Sequence, residues 1–392
     1  MVFELPEDTL PVEHTARVLW RMLDKVDLTV FDANVRAVEG SAGRRAHSPR
    51  LLLALWLYGL SEGVGSGREI ARRTVDDRAY RWLCGGVKVS HDVLNEFRES
   101  QGVALEKMMT DVLGVLVHAG LLSLEQVAID GTRIRASASA PSFRRAASLA
   151  GCREQAELHL KAVLADADNP EISRGQQCAR EAAAKAFLAR VDEAAAVVNQ
   201  LKNEGRDKPR ASTTDPEARV MKMADGGFRP AYNVQLAVAG AAHGGARTIV
   251  AARVTQEGTD YRSIEPLMDQ IKARLGAYPA RVLADGGHAS HAGIEAFAAR
   301  GIEALVSVPD HEKKPSVRKP SAVVAQWRER METDEAKQAY RVRASLCELA
   351  NAQLKSRLGL HELLVRGLTG VGNTVLLAAI AFNLLQHAAK LG

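Results

Sequence analysis

Two aspartates, each followed by glycine, are the residues of this chain best suited to chemistry. Asp130 ends the apolar run EQVAID and precedes Gly131, while Asp285 ends the run VLAD and precedes two glycines. Each run predicts a short strand that ends in a carboxylate. If the two strands are neighbours, both carboxylates emerge close together, and the small residues behind them leave room for metal ions and a bulky ligand.

The third candidate carboxylate is Glu348, in a helical stretch of the C-terminal third. At about 100° per residue, Arg341 and Lys355 lie seven positions away on either side and share its helix face. Three crowded carboxylates would repel one another and resist ionisation, a conflict that divalent metal ions resolve. Hard oxygen ligands without cysteine favour Mg²⁺, or Mn²⁺ in its place, over zinc.

Two such ions, about 3.5–4 Å apart, can activate an attacking hydroxyl and stabilise the leaving oxygen of a phosphodiester. Neighbouring Lys and Arg would hold DNA phosphates. The alternative is that each acid is incidental, because an aspartate at a strand end is often a turn or cap residue. His288 and His291 leave a zinc or nickel site open as well. Asn233 and Gln235 could either support the acids or lie exposed.

The elements that must position these residues begin with a helical region, residues 1–122. Its apolar positions recur at helical spacing, and Ser66 and Ser90 are suited to cap two short helices of a helix-turn-helix-like unit. Pro49 opens an earlier helix after Ser48. The basic residues of this region are Arg44, Arg45, Arg50, Arg68, Arg72, Arg73, Arg78 and Arg81. They are compatible with DNA contacts or with solvated helix faces.

Residues 123–392 change to an α/β pattern. The order is strand, helical insertion at about 141–213, strand, strand, helix, strand, helix, strand, helix. Strands joined by a hairpin and then by crossover helices predict a mixed sheet flanked by helices on both sides. The longest apolar runs, 51–57 and 375–382, are far shorter than the roughly 20 residues of a membrane span.

Composition and charge set wider limits on the function. The chain has 392 residues, 46% hydrophobic and 25% charged, which excludes disorder throughout. A net charge of +5 permits a polyanionic partner without requiring one. The four cysteines form no Cys-x-x-Cys pair, and the first residues lack the apolar segment of a signal peptide, which predicts a reducing, cytoplasmic compartment.

Taken together, the motifs resemble those of bacterial insertion-sequence transposases, which carry a DDE catalytic triad on a ribonuclease H-like core. RRAHSPRLLLALWLYGLSEGVGSGREIARR is similar to their N-terminal helical domain, VAIDGTRIRASAS to the first-aspartate motif, and VLADGGHAS to the second. STTDPEARVMK followed by YNVQLAV resembles the stretch that enters the second strand, and YRVRASLCELANAQLKSRLGLHELLVRGL resembles the third-acid helix. The resemblance covers nearly the whole chain.

The resemblance implies a role for each matching residue. The catalytic and metal-binding acids would be Asp130, Asp285 and Glu348, holding two Mg²⁺ ions. The DNA-binding residues would be Tyr340, Arg341, Arg343 and Lys355. Two features depart from the family pattern: His288 stands where a tyrosine is common, and four residues rather than three separate Arg343 from Glu348. The longer spacing leaves Arg341 as an alternative to Arg343.

By this resemblance the protein would bind the terminal inverted repeats of its own element, nick the strands there, and join the freed 3′ hydroxyls to target DNA. Residues 1–122 would recognise the ends, and residues 123–392 would form the catalytic domain of a nucleoid-associated homo-oligomer. An inactive or domesticated DNA-binding relative is the main alternative. A haloacid-dehalogenase-like phosphatase is disfavoured, because the position of its nucleophilic aspartate is Ala128 here.

Overall fold

A computed structural model describes residues 9–34, 46–166, 169–240, 245–261, 263–310 and 320–391. The predicted basic residues Arg44 and Arg45 lie outside these ranges. The helices of the N-terminal region are α1 (Thr15–Leu23), α2 (Pro49–Ser61), α3 (Gly67–Asp76), α4 (Arg78–Leu83), α5 (His91–Ser100) and α6 (Gly102–His118).

The second region contains both strands and helices. The strands are β1 (Gln126–Arg135), β2 (Phe143–Arg144), β3 (Ala211–Ser212), β4 (Arg219–Lys222), β5 (Phe228–Ala239), β6 (Thr248–Thr255), β7 (Arg281–Ala284) and β8 (Glu303–Val306). The helices are α7 (Ala146–Ala165), α8 (Arg174–Asn203), α9 (Ile264–Leu275), α10 (His291–Ala299), α11 (Ala322–Glu332), α12 (Asp334–Tyr340), α13 (Val342–Ser356) and α14 (Leu368–Leu391).

Local sequence explains where the N-terminal helices begin. The side chains of Ser66 and Ser90 each accept a hydrogen bond from a backbone N–H three residues on, which confirms both as caps of α3 and α5. Ser48 precedes Pro49 at the start of α2, but its side chain makes no capping hydrogen bond. The apolar spacing does not predict α4, whose start is set by Asp77 capping the helix.

A mixed sheet forms the centre of the second region. Its strand order is β4-β5-β1-β7-β8, and β6 also pairs with β5. Strands β1, β7 and β8 run parallel, whereas β5 runs antiparallel to β1, β4 and β6. Helices flank this sheet, and α7 and α8 are inserted after β1. These features confirm the predicted ribonuclease H-like architecture with its helical insertion.

Strand β1 is longer than the sequence predicts, and Asp130 lies within it rather than at its end. The strand continues because antiparallel pairing with β5 runs on to Arg135 opposite Ala231. Parallel pairing with β7 stops earlier, at Ile129 opposite Ala284. Asp130 is therefore the first residue after the parallel pairing with β7 ends. This position lies next to the end of β7, as the prediction of neighbouring carboxylates requires.

Helix α14 packs against both regions and helps to join them. By length and composition Leu368–Lys390 could cross a membrane, but 78% of its apolar window is buried inside the protein, so in this fold it is a core helix. Asn373 donates to the carbonyl oxygens of Arg98 and Glu99 at the end of α5. Helix α14 also packs against α2, α6 and β6, and one core of buried side chains runs from the N-terminal helices into the sheet.

Candidate active site

Strand register places Asp130 and Asp285 side by side. Because Ile129 pairs with Ala284, the two aspartates occupy the next position on neighbouring parallel strands. Their side chains are 20% and 41% exposed, respectively. The pair is thus fixed by the backbone of the sheet and remains open to a ligand, as the sequence predicts for neighbouring strands.

The two carboxyl groups are perturbed in opposite directions. Burial raises the pKa of Asp130, and the nearby Asp285 carboxylate adds to that rise against the opposing charge of Arg343. A hydrogen bond from His288 lowers the pKa of Asp285 in spite of its burial. Neighbouring acids whose pKa values are shifted in opposite directions are common at functional sites, and a cation between them would relieve their repulsion.

One oxygen of Asp285 is held by the turn that follows β7. Its Oδ1 accepts hydrogen bonds from the backbone N–H of Gly287 at 3.0 Å and from His288 Nδ1 at 2.7 Å. Its Oδ2 forms no hydrogen bond with the residues that the structure describes. Asp285 therefore presents one anchored oxygen and one oxygen that a ligand can use.

A buried polar network lies behind Asp285. His288 Nε2 lies 3.1 Å from Gln235 Oε1, and Gln235 Nε2 lies 3.0 Å from Asn233 Oδ1 and 2.5 Å from Asp260 Oδ1. Asn233 donates to the same Asp260 oxygen at 2.7 Å. His288 is almost fully buried, and Asn233 and Gln235 are completely so. The two amides therefore support the acids rather than lie exposed.

Two further features of the sequence are explained near this network. A Cβ atom at Gly131 would come within 2.1 Å of Gln235 Nε2 and 2.5 Å of Asp260 Oδ1, so glycine after the first aspartate lets the network approach β1. His291 lies at the start of α10, and its Nε2 is 3.4 Å from an Arg328 nitrogen on α11. Both ring nitrogens of His288 are already in contact with Asp285 and Gln235, so neither is open to zinc or nickel in this arrangement.

Helix α13 packs against β1 and presents one face to Asp130. Asn351 Nδ2 donates to Asp130 Oδ2 at 2.9 Å, and Arg343 Nη1 lies 3.8 Å from Asp130 Oδ1. Cys347, one turn from each, is buried, and burial together with the Asp130 charge raises the pKa of its thiol. The facing positions of α13 are therefore four residues apart: Arg343, Cys347 and Asn351.

Glu348 does not lie on that face. It follows Cys347 by one residue, about 100° further round the helix, and its side chain is exposed. It forms no hydrogen bond or ion pair within the part of the chain that the structure describes. The structure thus brings the two aspartates together and leaves the third predicted acid on the adjoining face of α13.

The predicted DNA-binding residues also differ in whether they lie near the two aspartates. Lys355 is half-buried near Asp130: burial lowers the pKa of its ammonium group, and the Asp130 charge opposes this effect. The Tyr340 ring lies 5.8 Å from the Arg343 guanidinium and supports it beside the aspartates. Arg341 is exposed at the junction of α12 and α13. Arg343 and Lys355 are thus near the acids, whereas Arg341 points into solvent.

Two residues of the site were missed by sequence reasoning. Asn351 could have been found by counting in fours from Arg343, since both lie on the face of α13 that is buried against β1. Asp260 lies in the loop between β6 and α9, and no spacing or motif connects it with Gln235. Contacts of that kind depend on loop placement, which local sequence does not encode.

The oxygen donors fit Mg²⁺ or Mn²⁺. Magnesium is usually held by one or two carboxylates, with water and substrate phosphates as its other ligands, and Asp130 and Asp285 supply that pair. Asn351 Oδ1, buried next to Asp130, has no hydrogen-bond partner among the described residues, and an amide oxygen is a ligand of the same hard class. Among the described residues no three His, Cys, Asp or Glu side chains are grouped to hold an ion. An ion held here would therefore rely on the aspartate pair together with water and substrate phosphates.

Comparison with known families covers both regions of the chain. Residues 124–384 match the family described as Transposase DDE domain, and residues 5–100 match the family described as Transposase domain (DUF772). The first match alone spans more than half of the chain and contains every residue of the site described above. No curated protein and no solved structure matches the chain significantly.

Proposed function

Since this chain belongs to the DDE transposase family, we propose that it cuts DNA at the ends of an insertion sequence and joins those ends to target DNA. The single observation that carries the proposal is the pair Asp130 and Asp285, which strand register sets side by side within the matched domain. The family implies DNA binding and the use of divalent metal ions, and the oxygen donors of the pair suit such ions.

In this proposal Asp130, Asp285 and Glu348 hold the metal ions. When bound, two such ions stabilise both the attacking and the leaving oxygen of the phosphodiester. The sheet contributes by fixing two carboxylates before DNA arrives, so that little reorganisation is needed on that side. In the structure, Cys347 occupies the face of α13 that lies towards Asp130. Glu348 would therefore join the other two acids through a rotation of α13 about its axis.

The basic residues near the acids would receive the DNA backbone. Arg343 lies 3.8 Å from Asp130 and partly neutralises it, and Lys355 is half-buried on the same side. A phosphate group competes with Asp130 for these cations, since bidentate guanidinium–phosphate contacts are strong. Arrival of DNA would then free the Asp130 carboxylate and favour the turn of α13 that brings in Glu348.

The N-terminal region, residues 1–122, would recognise the element ends, and residues 123–392 would carry out the chemistry. Of the basic residues predicted there, Arg68, Arg78 and Arg81 are exposed and form no ion pair with the described residues. They are therefore free to meet phosphates. Pairing of two DNA ends implies at least two copies of the chain, in the cytoplasm with the bacterial nucleoid.

A second candidate is an inactive DNA-binding relative, and the exposure of Glu348 favours it. Such a protein would retain end recognition through its helical region but lack a complete set of catalytic acids. The two candidates differ in one measurable property, which is cleavage that depends on a divalent metal.

The test is cleavage of a labelled duplex that carries the flanking ends of the element, with and without Mg²⁺. We expect nicking at the element boundary for the wild type and for Asp269→Ala, an exposed aspartate of α9 that serves as matched control. Asp285→Ala should bind the duplex and not cut it. Binding without cutting in every variant would favour the inactive relative, and failure to bind the ends would contradict both candidates.

A further inference from the structure

We infer that Asp260 is a positioning residue of the site: through Gln235 it holds His288 against Asp285. The inference rests on the proposed function in one respect, since it takes Asp285 to be a metal ligand. Asp260 lies in the loop between β6 and α9, with 16% of its side chain exposed. It contacts none of the predicted catalytic acids through any hydrogen bond described above.

The first step is that Asp260 fixes the orientation of two amides. Asn233 Nδ2 and Gln235 Nε2 both lie within hydrogen-bond distance of Asp260 Oδ1, at 2.7 and 2.5 Å. A carboxylate oxygen accepts hydrogen bonds, so both amides must turn their nitrogens towards it. A flipped Gln235 would set its own oxygen against the carboxylate, which costs free energy in a buried position.

The second step is that Gln235 fixes the ring of His288. With its nitrogen committed to Asp260, Gln235 presents Oε1 to His288 Nε2 at 3.1 Å. An oxygen accepts, so Nε2 must carry a hydrogen, and Nδ1 carries one as well where it donates to the Asp285 carboxylate, so that both ring nitrogens act as donors. The ring has no exposed side-chain surface, and its other nitrogen, Nδ1, lies 2.7 Å from Asp285 Oδ1. The chain of contacts thus runs from a surface loop, across β5, to the end of β7.

The third step concerns Asp285 itself. The contact from His288 occupies Oδ1 and leaves Oδ2 for a ligand, so it sets the direction in which the carboxylate can bind a cation. Residues that orient a metal ligand in this way affect metal affinity strongly although they do not touch the metal. The loop that supplies Asp260 is itself held, because Arg133 donates to the Gly258 carbonyl at 2.9 Å.

Binding of Mn²⁺ to the DNA-free protein, followed by the electron paramagnetic resonance signal of the free ion, tests the inference without cleavage. We expect Asp260→Asn to weaken Mn²⁺ binding about tenfold, because the amide at Gln235 is then free to rotate. Asp269→Asn makes the same chemical change at an exposed site, where Asp269 lies 3.7 Å from Arg300, and should leave binding unchanged. Should Asp260→Asn fail to fold, Gln235→Met removes the same link and carries the same expectation.

A double variant separates positioning from mere packing. Gln235→Glu alone places a second carboxylate beside Asp260 and should also weaken Mn²⁺ binding. Combined with Asp260→Asn it moves the negative charge without changing the total, and the new carboxylate at position 235 can accept both from the new amide and from His288 Nε2. We therefore expect the double variant to bind Mn²⁺ more tightly than either single variant.

Nuclear magnetic resonance of ¹⁵N-labelled histidine gives an independent readout. The proton on His288 Nε2, assigned with His288→Gln, should be present in the wild type and in the double variant and be lost or shifted in Asp260→Asn. An Asp260→Asn variant that matches Asp269→Asn in both measurements overturns the inference, as does a double variant no better than the singles. If the wild type cuts no DNA, the proposed function fails, while these two measurements still decide the role of Asp260.

Discussion

The acids carried by strands and the acid carried by a helix are positioned by different means. Asp130 and Asp285 are set by a parallel ladder, in which a slip of one residue would turn every side chain to the other face of the sheet. The direction of Glu348 is set by the rotation of α13 about its axis, and in the proposed function a turn of about 100° would exchange it with Cys347. The sheet thus places two acids side by side, whereas the proposed function requires Glu348 to be brought to them.

The largest effect is expected from Asp285→Ala and Glu348→Ala, compared side by side. Each should lower end cleavage at least about 1,000-fold, because loss of a metal ligand removes several kcal/mol of transition-state stabilisation. Mn²⁺ binding to the DNA-free protein should fall only in Asp285→Ala. Equal loss of binding in both variants would show that Glu348 already reaches the ions without DNA, and the comparison would break.

Gly131→Ala tests how closely side chains pack against β1 next to Asp130. The new methyl group would collide with Gln235 and Asp260, so we expect a loss of about 1–3 kcal/mol in unfolding free energy and a clear fall in cleavage. Gly114→Ala is the matched control, since its Cβ would meet nothing within 4 Å on helix α6 and should raise stability. Denaturant unfolding of the two variants gives the sign of each effect, and a neutral Gly131→Ala would contradict the packing described here.

On the helix side, Lys355→Ala and Arg341→Ala should differ. Lys355 lies near Asp130, where a phosphate would arrive, whereas Arg341 is exposed at the end of α12. We expect Lys355→Ala to weaken binding of the element ends about tenfold and to lower the slope of binding against salt by about one. Filter binding at several salt concentrations measures both quantities, and an equal loss in Arg341→Ala would show that the exposed face of the helix also meets DNA.

The smallest effects concern the melting temperature, which substitutions of the two strand aspartates should change in opposite directions. Asp130 has a pKa raised by folding, so its ionised form costs stability above the unfolded value of 3.8, and the cost is absent well below it. Asp130→Asn should therefore raise the melting temperature at pH 7 by about 1–3 °C and lose that advantage in acid. Asp285 has a lowered pKa, so Asp285→Asn should lower the melting temperature at pH 7. Glu348→Gln, at an exposed site, should change nothing; calorimetry at several pH values checks all three.

The order of elements and the meeting of Asp130 with Asp285 could be predicted because apolar runs, turns and strand ends are local signals. The length of β1 could not, since Gly131 and two arginines weaken its pattern and only pairing with β5 extends it. The side of α13 that packs against the sheet could be predicted in part, because the buried residues Leu346, Ala350 and Leu354 form a stripe that leaves Glu348 facing outwards. A spacing of seven residues shows which residues share a helix face, but it does not show which face of α13 packs against the sheet.

Helix α14 also has a consequence for the gene. Its 24 residues tie the end of α5, through Asn373, to strand β6, where Asn383 bonds both the N–H and the carbonyl of Ile249. A stop codon or frameshift before residue 368 would remove the helix that the N-terminal helices and the mixed sheet share in their common core. We therefore expect gene copies that lose the region coding for α14 to yield unfolded chains rather than shortened proteins that keep folded N-terminal helices.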